Sequence, residues 1–181
     1  MIGMDYERGL AMLKDYIEDG KVHSDLAFHG QSDFPGCTYV GIRTSTTMEQ
    51  VGPAMEADFT KLEAFAKEQG EILAGKPFSI YHKFDMVKQQ IEYTAGIPIK
   101  ETPQNLADGL MIGSIPATKV NTVEHTGPYG HLGNAWSAQY SMKQNKKFKL
   151  NKGIDPFEVY ENDPAETDAK ELVTAIHFPV K

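Results

Sequence analysis

One carboxylate in this chain stands where an internal repeat would place a small hydroxyl. The segment Pro77-Phe78-Ser79-Ile80-Tyr81 returns as Pro156-Phe157-Glu158-Val159-Tyr160, so Glu158 answers to Ser79 and Tyr160 to Tyr81. Both segments read as strands, and alternate residues of a strand share a face. Ser79, Tyr81, Glu158 and Tyr160 therefore fall on one face, with Phe78, Ile80, Phe157 and Val159 on the other. Two tyrosine rings and one carboxylate suit a planar organic cation. The rings offer cation–π attraction of about 0.5–2 kcal/mol. The carboxylate adds a gross attraction of about 4 kcal/mol at ~4 Å and an effective dielectric of ~20. Burial in an apolar cleft would push the Glu158 carboxyl upward in pKa, because burial disfavours the charged form. Such a group serves either as a cation sensor or as a general acid.

Other chemistry-bearing residues are fewer. Trp136, Tyr129 and Tyr39 are candidates to extend the aromatic wall. His125 and His131 lack a metal-ligand spacing and read as structural or exposed, so no metal is expected. Gly127, Gly130 and Gly133 are spaced three and three, not the two and three of a dinucleotide fingerprint. Cys37 has no basic neighbour to lower its pKa and is not read as a nucleophile. No cofactor is implied.

These side chains must be positioned by a small set of elements. A helix is expected from Asp5 to Asp19, capped by Asp5 and stopped by Gly20, with Tyr6, Leu10, Leu13 and Ile17 in one apolar stripe. Lys21 to Gly36 reads as a linker or wrapping loop. A strand at Cys37–Thr44 precedes a helix from Thr46 or Thr47 to Gln69, stopped by Gly70, whose stripe is Val51, Met55, Phe59, Leu62 and Phe65. Strands at Pro77–Asp85 and Val87–Ile99 follow. After a turn-rich loop the order repeats. A strand at Ala117–His125, with another at Leu110–Ile115 before it, leads to a helix from Pro128 to about Lys147. Strands at Phe157–Glu161 and Glu171–Val180 close the chain.

The closing strands also match. Ile91, Ile97 and Ile99 align with Leu172, Phe178 and Val180, and Pro98 and Lys100 with Pro179 and Lys181. Two copies of strand–helix–strand–strand, about 36–100 and 110–181, should pack together and leave a cleft between them. The expected fold is α+β, an antiparallel sheet with two helices on one side and pseudo-twofold symmetry. The all-apolar strand faces should meet the helices, leaving the Glu158 face to line the cleft. Residues 1–35 form a preceding helix and linker.

The run Pro156-Phe157-Glu158-Val159-Tyr160-Glu161-Asn162-Asp163-Pro164, with Glu171-Leu172-Val173-Thr174 and Phe178-Pro179-Val180, resembles the C-terminal signature of GyrI-like domains. These are the effector-binding domains of bacterial multidrug-responsive transcription activators. His125-Thr126-Gly127-Pro128-Tyr129 with Trp136 resembles the entry to that family's second helix, and Tyr39-Val40-Gly41-Ile42-Arg43 its first strand. The resemblance implies a hydrophobic cleft for flat, often cationic aromatic molecules, reached by a glutamate at the position of Glu158. It also implies two alternatives: hydrolysis of cyclopropane-bearing genotoxins using Glu158, and gyrase inhibition through the outer surface. The helix from Asp5 resembles the last helix of a START-like domain. A DNA-binding or START-like partner domain elsewhere is therefore expected.

Composition narrows the partners. Net charge is −7, which argues against nucleic acid, since phosphate binding needs a positive stripe. The cluster Lys143, Lys146, Lys147, Lys149 and Lys152 sits at a helix end, where it complements the dipole. Apolar content is 40%, and no apolar run reaches the ~18 residues of a membrane span. The N-terminus meets acid at Asp5 and does not read as a signal peptide. One cysteine excludes a disulfide framework within the chain. The expected compartment is the cytoplasm.

Overall fold

The computed structural model describes residues 2–69 and 72–181. Among them are the helices α1 (Ile2–Asp19), α2 (Val51–Gln69) and α3 (Gly133–Gln144). The strands are β1 (Asp25–Phe34), β2 (Cys37–Thr47), β3 (Phe78–Asp85), β4 (Gln90–Ile99), β5 (Met111–Ile115), β6 (Thr118–Thr126), β7 (Phe157–Tyr160) and β8 (Val173–Val180). The registered strand pairs are antiparallel, and the fold is α+β.

The chain groups into two compact units that do not follow chain order. One contains residues 33–118 and 152–159; the other contains 2–32, 119–151 and 160–181. In the first, the strands run β7-β3-β4-β2-β5, and in the second β1-β6-β8.

In the first unit β2 and β4 set the core. Val40 pairs with Ile97, Ile42 with Ala95 and Thr38 with Ile99, so one face carries Val40, Ile42, Tyr93, Ala95, Ile97 and Ile99. That face packs on Leu62 and Phe65 of α2, with Val51, Met55 and Phe59 beside them. The helical stripe is the one expected from spacing. The helix starts later than expected, because β2 runs on to Thr47, whose Oγ1 accepts a hydrogen bond from Gln50 N at 3.2 Å. The stop expected at Gly70 lies outside the described residues.

The face assignment of β3 differs from expectation. Ser79 pairs with Ala95 and Tyr81 with Tyr93, which forces Ser79 and Tyr81 onto the side that α2 covers. Phe78 and Ile80 take the reverse face. There Tyr39 meets Phe78 edge-on at 5.0 Å, and Phe34 meets Phe157 at 4.9 Å. Glycine makes room for these rings. A Cβ on Gly96 would stand 2.6 Å from the Phe78 ring, and one on Gly113 would collide with Tyr39. Gly96→Ala is therefore expected to lower stability by about 1–3 kcal/mol, the usual cost of overpacking, read as a lower denaturant midpoint. An unchanged midpoint would mean that the ring shifts freely.

Asp85 ends β3. Its Oδ1 accepts from Val87 N at 3.2 Å and Lys88 N at 3.0 Å, and Gln89 takes φ 52°. This is the side-chain-to-backbone bonding by which Asp closes turns.

In the second unit Val123, Ile176, Phe178 and Val180 pack on Ala135, Trp136 and Phe148. Gln139 of α3 is fully buried and satisfied: its Nε2 donates to Asn121 O at 2.7 Å and Ile176 O at 2.9 Å, and its Oε1 accepts from Asn121. The expected start of α3 at Pro128 is corrected: residues Tyr129–His131 form a 3₁₀ turn first.

Two further readings change here. The segment 25–34, expected to be loop, is strand β1. It lies at the end of the β1-β6-β8 order and buries little beyond Leu26, Gly30 and Phe34. A polar edge strand shows no period-two alternation, so periodicity misses it. Helix α1 starts at Ile2, not at Asp5, and Gly20 (φ 74°) closes it through a bond from its N–H to Tyr16 O. Its apolar stripe of Tyr6, Leu10, Leu13 and Ile17 is exposed. The opposite face docks instead, with Asp15 Oδ2 2.8 Å from His131 Nε2 and Met12 Sδ accepting from Asn134.

Candidate functional site

The two Pro-Phe-x-apolar-Tyr segments are neighbours in one ladder. Phe78 pairs with Val159, Ser79 with Glu158 and Ile80 with Phe157. Glu158 thus stands directly across from the residue it replaces in the repeat. Its side chain is 2% exposed and that of Ser79 is fully buried. Register places both on the α2 side of the sheet. Tyr81, half-buried on that face, donates its hydroxyl to Glu158 Oε2 at 2.8 Å.

A bulge brings in a residue that alternation hides. Register in β3 shifts between Tyr81 and Lys83, leaving His82 as the extra residue. His82 is held by Asp155 through Nδ1 and by Thr94 through Nε2, both at 2.7 Å. One added residue inverts the parity beyond it. Phe84 pairs with Ile91 and shares the Tyr81 face, where the two rings stack at 5.5 Å and 23°. Phe84 remains 43% exposed, an aromatic surface beside the carboxylate. No pattern in the sequence announces the bulge.

A second tyrosine–carboxylate pair adjoins the first. Tyr93, opposite Tyr81 in the ladder, donates to Asp58 Oδ2 at 2.7 Å. Thr44 donates to the same oxygen at 2.7 Å. Burial, then the hydrogen bond to Asp58 and its charge, push the Tyr93 hydroxyl well above its ordinary range.

The structure does not bring Tyr39 to this group. It lies on the reverse face, almost fully buried over glycines, and burial raises its hydroxyl pKa. Its place on β2, one residue from Val40, fixes that face. Cys37 is half-buried, and desolvation pushes its thiol up, partly offset by a backbone bond from Ile115.

The remaining expected residues belong to the second unit. Tyr160 follows Glu158 by two positions in β7 and meets Tyr129 edge-on at 5.7 Å; Tyr129 is 40% exposed. Trp136 packs on Phe178 at 5.3 Å and near Tyr140 at 6.3 Å, as part of the core under α3. His125 and His131 are both buried, each joined to a residue that precedes β1: His125 Nε2 to Ser24 Oγ at 3.0 Å, and His131 Nε2 to Asp15.

A family model described as the GyrI-like small molecule binding domain matches residues 32–181. No curated protein matches the chain by sequence. Among solved structures, EcmrR in its DNA complex in EcmrR-RPo superposes with TM-score 0.72 at 19% identity, over 98% of this chain and 66% of that one. This chain thus spans just under two thirds of that chain. The crystal structure of the EcmrR C-terminal domain superposes with TM-score 0.65 at 21% identity, covering 87% and 98% of the two chains. SAV2435 bound to tetraphenylphosphonium gives TM-score 0.64 at 13% identity, covering 86% and 94%. At these identities the likeness is one of fold. No helix among the described residues is long and apolar enough to cross a membrane.

Proposed function

This chain belongs to the GyrI-like small-molecule-binding domain family, and on that premise we propose that it captures or senses amphipathic, cationic aromatic compounds at Glu158. The observation that carries this reading is the Tyr81–Glu158 pair. The buried carboxyl group of Glu158 accepts a hydrogen bond from the Tyr81 hydroxyl, a donor without formal charge. An organic cation adds an opposite charge beside it, and the stacked rings of Tyr81 and Phe84 give it a flat aromatic surface. The Tyr129–Tyr160 pair offers aromatic area in its own unit. The tetraphenylphosphonium bound to SAV2435, a protein of this fold, is a ligand of the same chemistry.

We read the Ser79↔Glu158 ladder as the trace of a duplication. Exchanging the two segments converts Phe78↔Val159 into Phe157↔Ile80, so the pairing is its own image. Residues 36–181 are then the binding domain, and 1–35 an appended helix and connecting segment. Since EcmrR is seen with DNA and this chain spans part of its length, we place the protein in the cytoplasm with a DNA-binding partner domain. Hydrolysis needs a proton donor besides the base, and the Tyr81 hydroxyl proton points at Glu158 itself. Reversible binding is the simpler use of this geometry.

Titration with tetraphenylphosphonium and with neutral triphenylphosphine oxide tests the reading. The cation is expected to bind at micromolar Kd and the neutral compound about tenfold or more weaker, a difference of ~1.4 kcal/mol. Equal affinities would remove the charge from the argument, and absence of binding by either would remove the function.

A further inference from the structure

We propose that Asp58 is a second anionic recognition residue of the Glu158 site, and that the site therefore favours ligands with two cationic centres. The proposal rests on the reading of Glu158 as a cation acceptor. Four adjacent strands, β7-β3-β4-β2, carry a continuous polar row on the α2 side: Glu158, Tyr81, Tyr93 and Thr44. Tyr81 and Tyr93 are register partners, with cross-strand spacing of roughly 5 Å between their Cβ atoms. Tyr81 donates toward one end of the row, to Glu158 at 2.8 Å. Tyr93 and Thr44 donate toward the other, to Asp58 at 2.7 Å each. The row thus has a carboxylate at each end, with the half-buried Tyr81 and the fully buried Tyr93 between them. Three strand spacings separate β7 from β2, roughly 14 Å, which is the scale of the row across the sheet.

Asp58 is prepared for an outside partner. Both hydroxyls donate to the same oxygen, Oδ2. Among the described residues no side chain donates to Oδ1 and no Lys, Arg or His pairs with the carboxylate. Asp58 is only half-buried. Two hydroxyl donors more than suffice to tie a helix to a sheet through one oxygen; they also fix the plane of the group and leave its second oxygen aimed away from them. A rigid, uncompensated carboxylate is what a cationic head group recognises, and charge-assisted hydrogen bonds to it are about twice as strong as neutral ones.

Paired amidines test this: para-pentyloxybenzamidine, and the pentane-linked bis(para-amidinophenoxy) diamidine that carries two such heads. Wild type should bind the diamidine about tenfold or more tighter. In Asp58→Asn that ratio should fall to about twofold or less, with the monoamidine Kd moved by no more than about twofold, whereas Glu158→Gln should weaken both compounds. Thr44→Val, which removes one donor without touching the charge, should reduce the ratio in the same direction; it replaces Asp58→Asn if thermal melting shows that variant unfolded. An unchanged ratio in Asp58→Asn, with only its melting temperature altered, would make Asp58 a helix anchor and overturn the proposal. Equal losses for both amidines would overturn it too, as a general field effect. If tetraphenylphosphonium binds and neither amidine does, the second carboxylate falls while the Glu158 reading stands. If no cation binds, both fall.

Discussion

Glu158→Gln is expected to weaken the binding of tetraphenylphosphonium by roughly 30-fold to a few thousand-fold, the equivalent of about 2–5 kcal/mol. The size follows from where the carboxylate sits. At 2% exposure the group is screened little by water, and removing one partner of a desolvated charge pair leaves the other charge without compensation. Loss of one neutral hydrogen bond would contribute only about 1 kcal/mol, so the two explanations are separable by magnitude alone. Glutamine preserves the volume and can still accept from Tyr81, which keeps the change confined to charge. Isothermal titration of wild type and variant reads the difference. A shift of about fivefold or less, near 1 kcal/mol, would mean that the cation does not see the carboxylate.

Some of this site is legible in the sequence because strand alternation is a strong geometric rule. The repeat alone puts Glu158 and Tyr81 on one face, and the 2.8 Å hydrogen bond between them is the result. What alternation cannot give is the side of the sheet. Phe78 and Ile80 look like a core face, yet β4 decides the matter: Ala95 and Tyr93 already belong to the α2 core, and their partners Ser79 and Tyr81 must follow. Tyr39 escapes the site for a related reason, since aromatic character says nothing of face, and its ring fills space left by glycines on the far side. Phe84 is hidden by a parity change at His82, a bulge stabilised by Asp155 and Thr94. These partners are distant in sequence. Asp58 reads as one more charge on an amphipathic helix; only the convergence of Thr44 and Tyr93 on one of its oxygens distinguishes it. In each case the missing information is which distant segment lies alongside, a tertiary fact that local periodicity does not carry.

Acid should destabilise this protein well before its carboxylates titrate, and His125 is expected to be the main cause. It is fully buried. Burial first, and the positive charge of His131 second, lower its pKa from 6.5 to about 4, against a smaller opposing pull from Asp25. The sign follows from proton binding. Above pH 6.5 the imidazole is neutral in both folded and unfolded chains, and stability does not depend on it. Between pH 6.5 and 4 the unfolded chain takes up a proton that the folded one refuses, so stability falls as pH falls. Below about 4 both forms are protonated and the loss levels off at about 3 kcal/mol, at 1.36 kcal/mol per unit. Ser24 Oγ bonds Nε2, while Nδ1 has no partner among the described residues, so nothing inside the fold is ready to receive the added proton. Urea unfolding at pH 7.5 and pH 5.0 isolates this window, because Asp15 and Asp19 are held below the usual carboxylate range by their partners. Wild type should lose about 2 kcal/mol more than His125→Gln between the two conditions, the 1.5-unit share of the shift. His177, desolvated and near His29, is lowered to about 4 as well, so His177→Gln should remove part of what remains. Parallel losses in wild type and His125→Gln would show that His125 takes up its proton in the native state, and the buried-histidine account of the acid transition would be wrong.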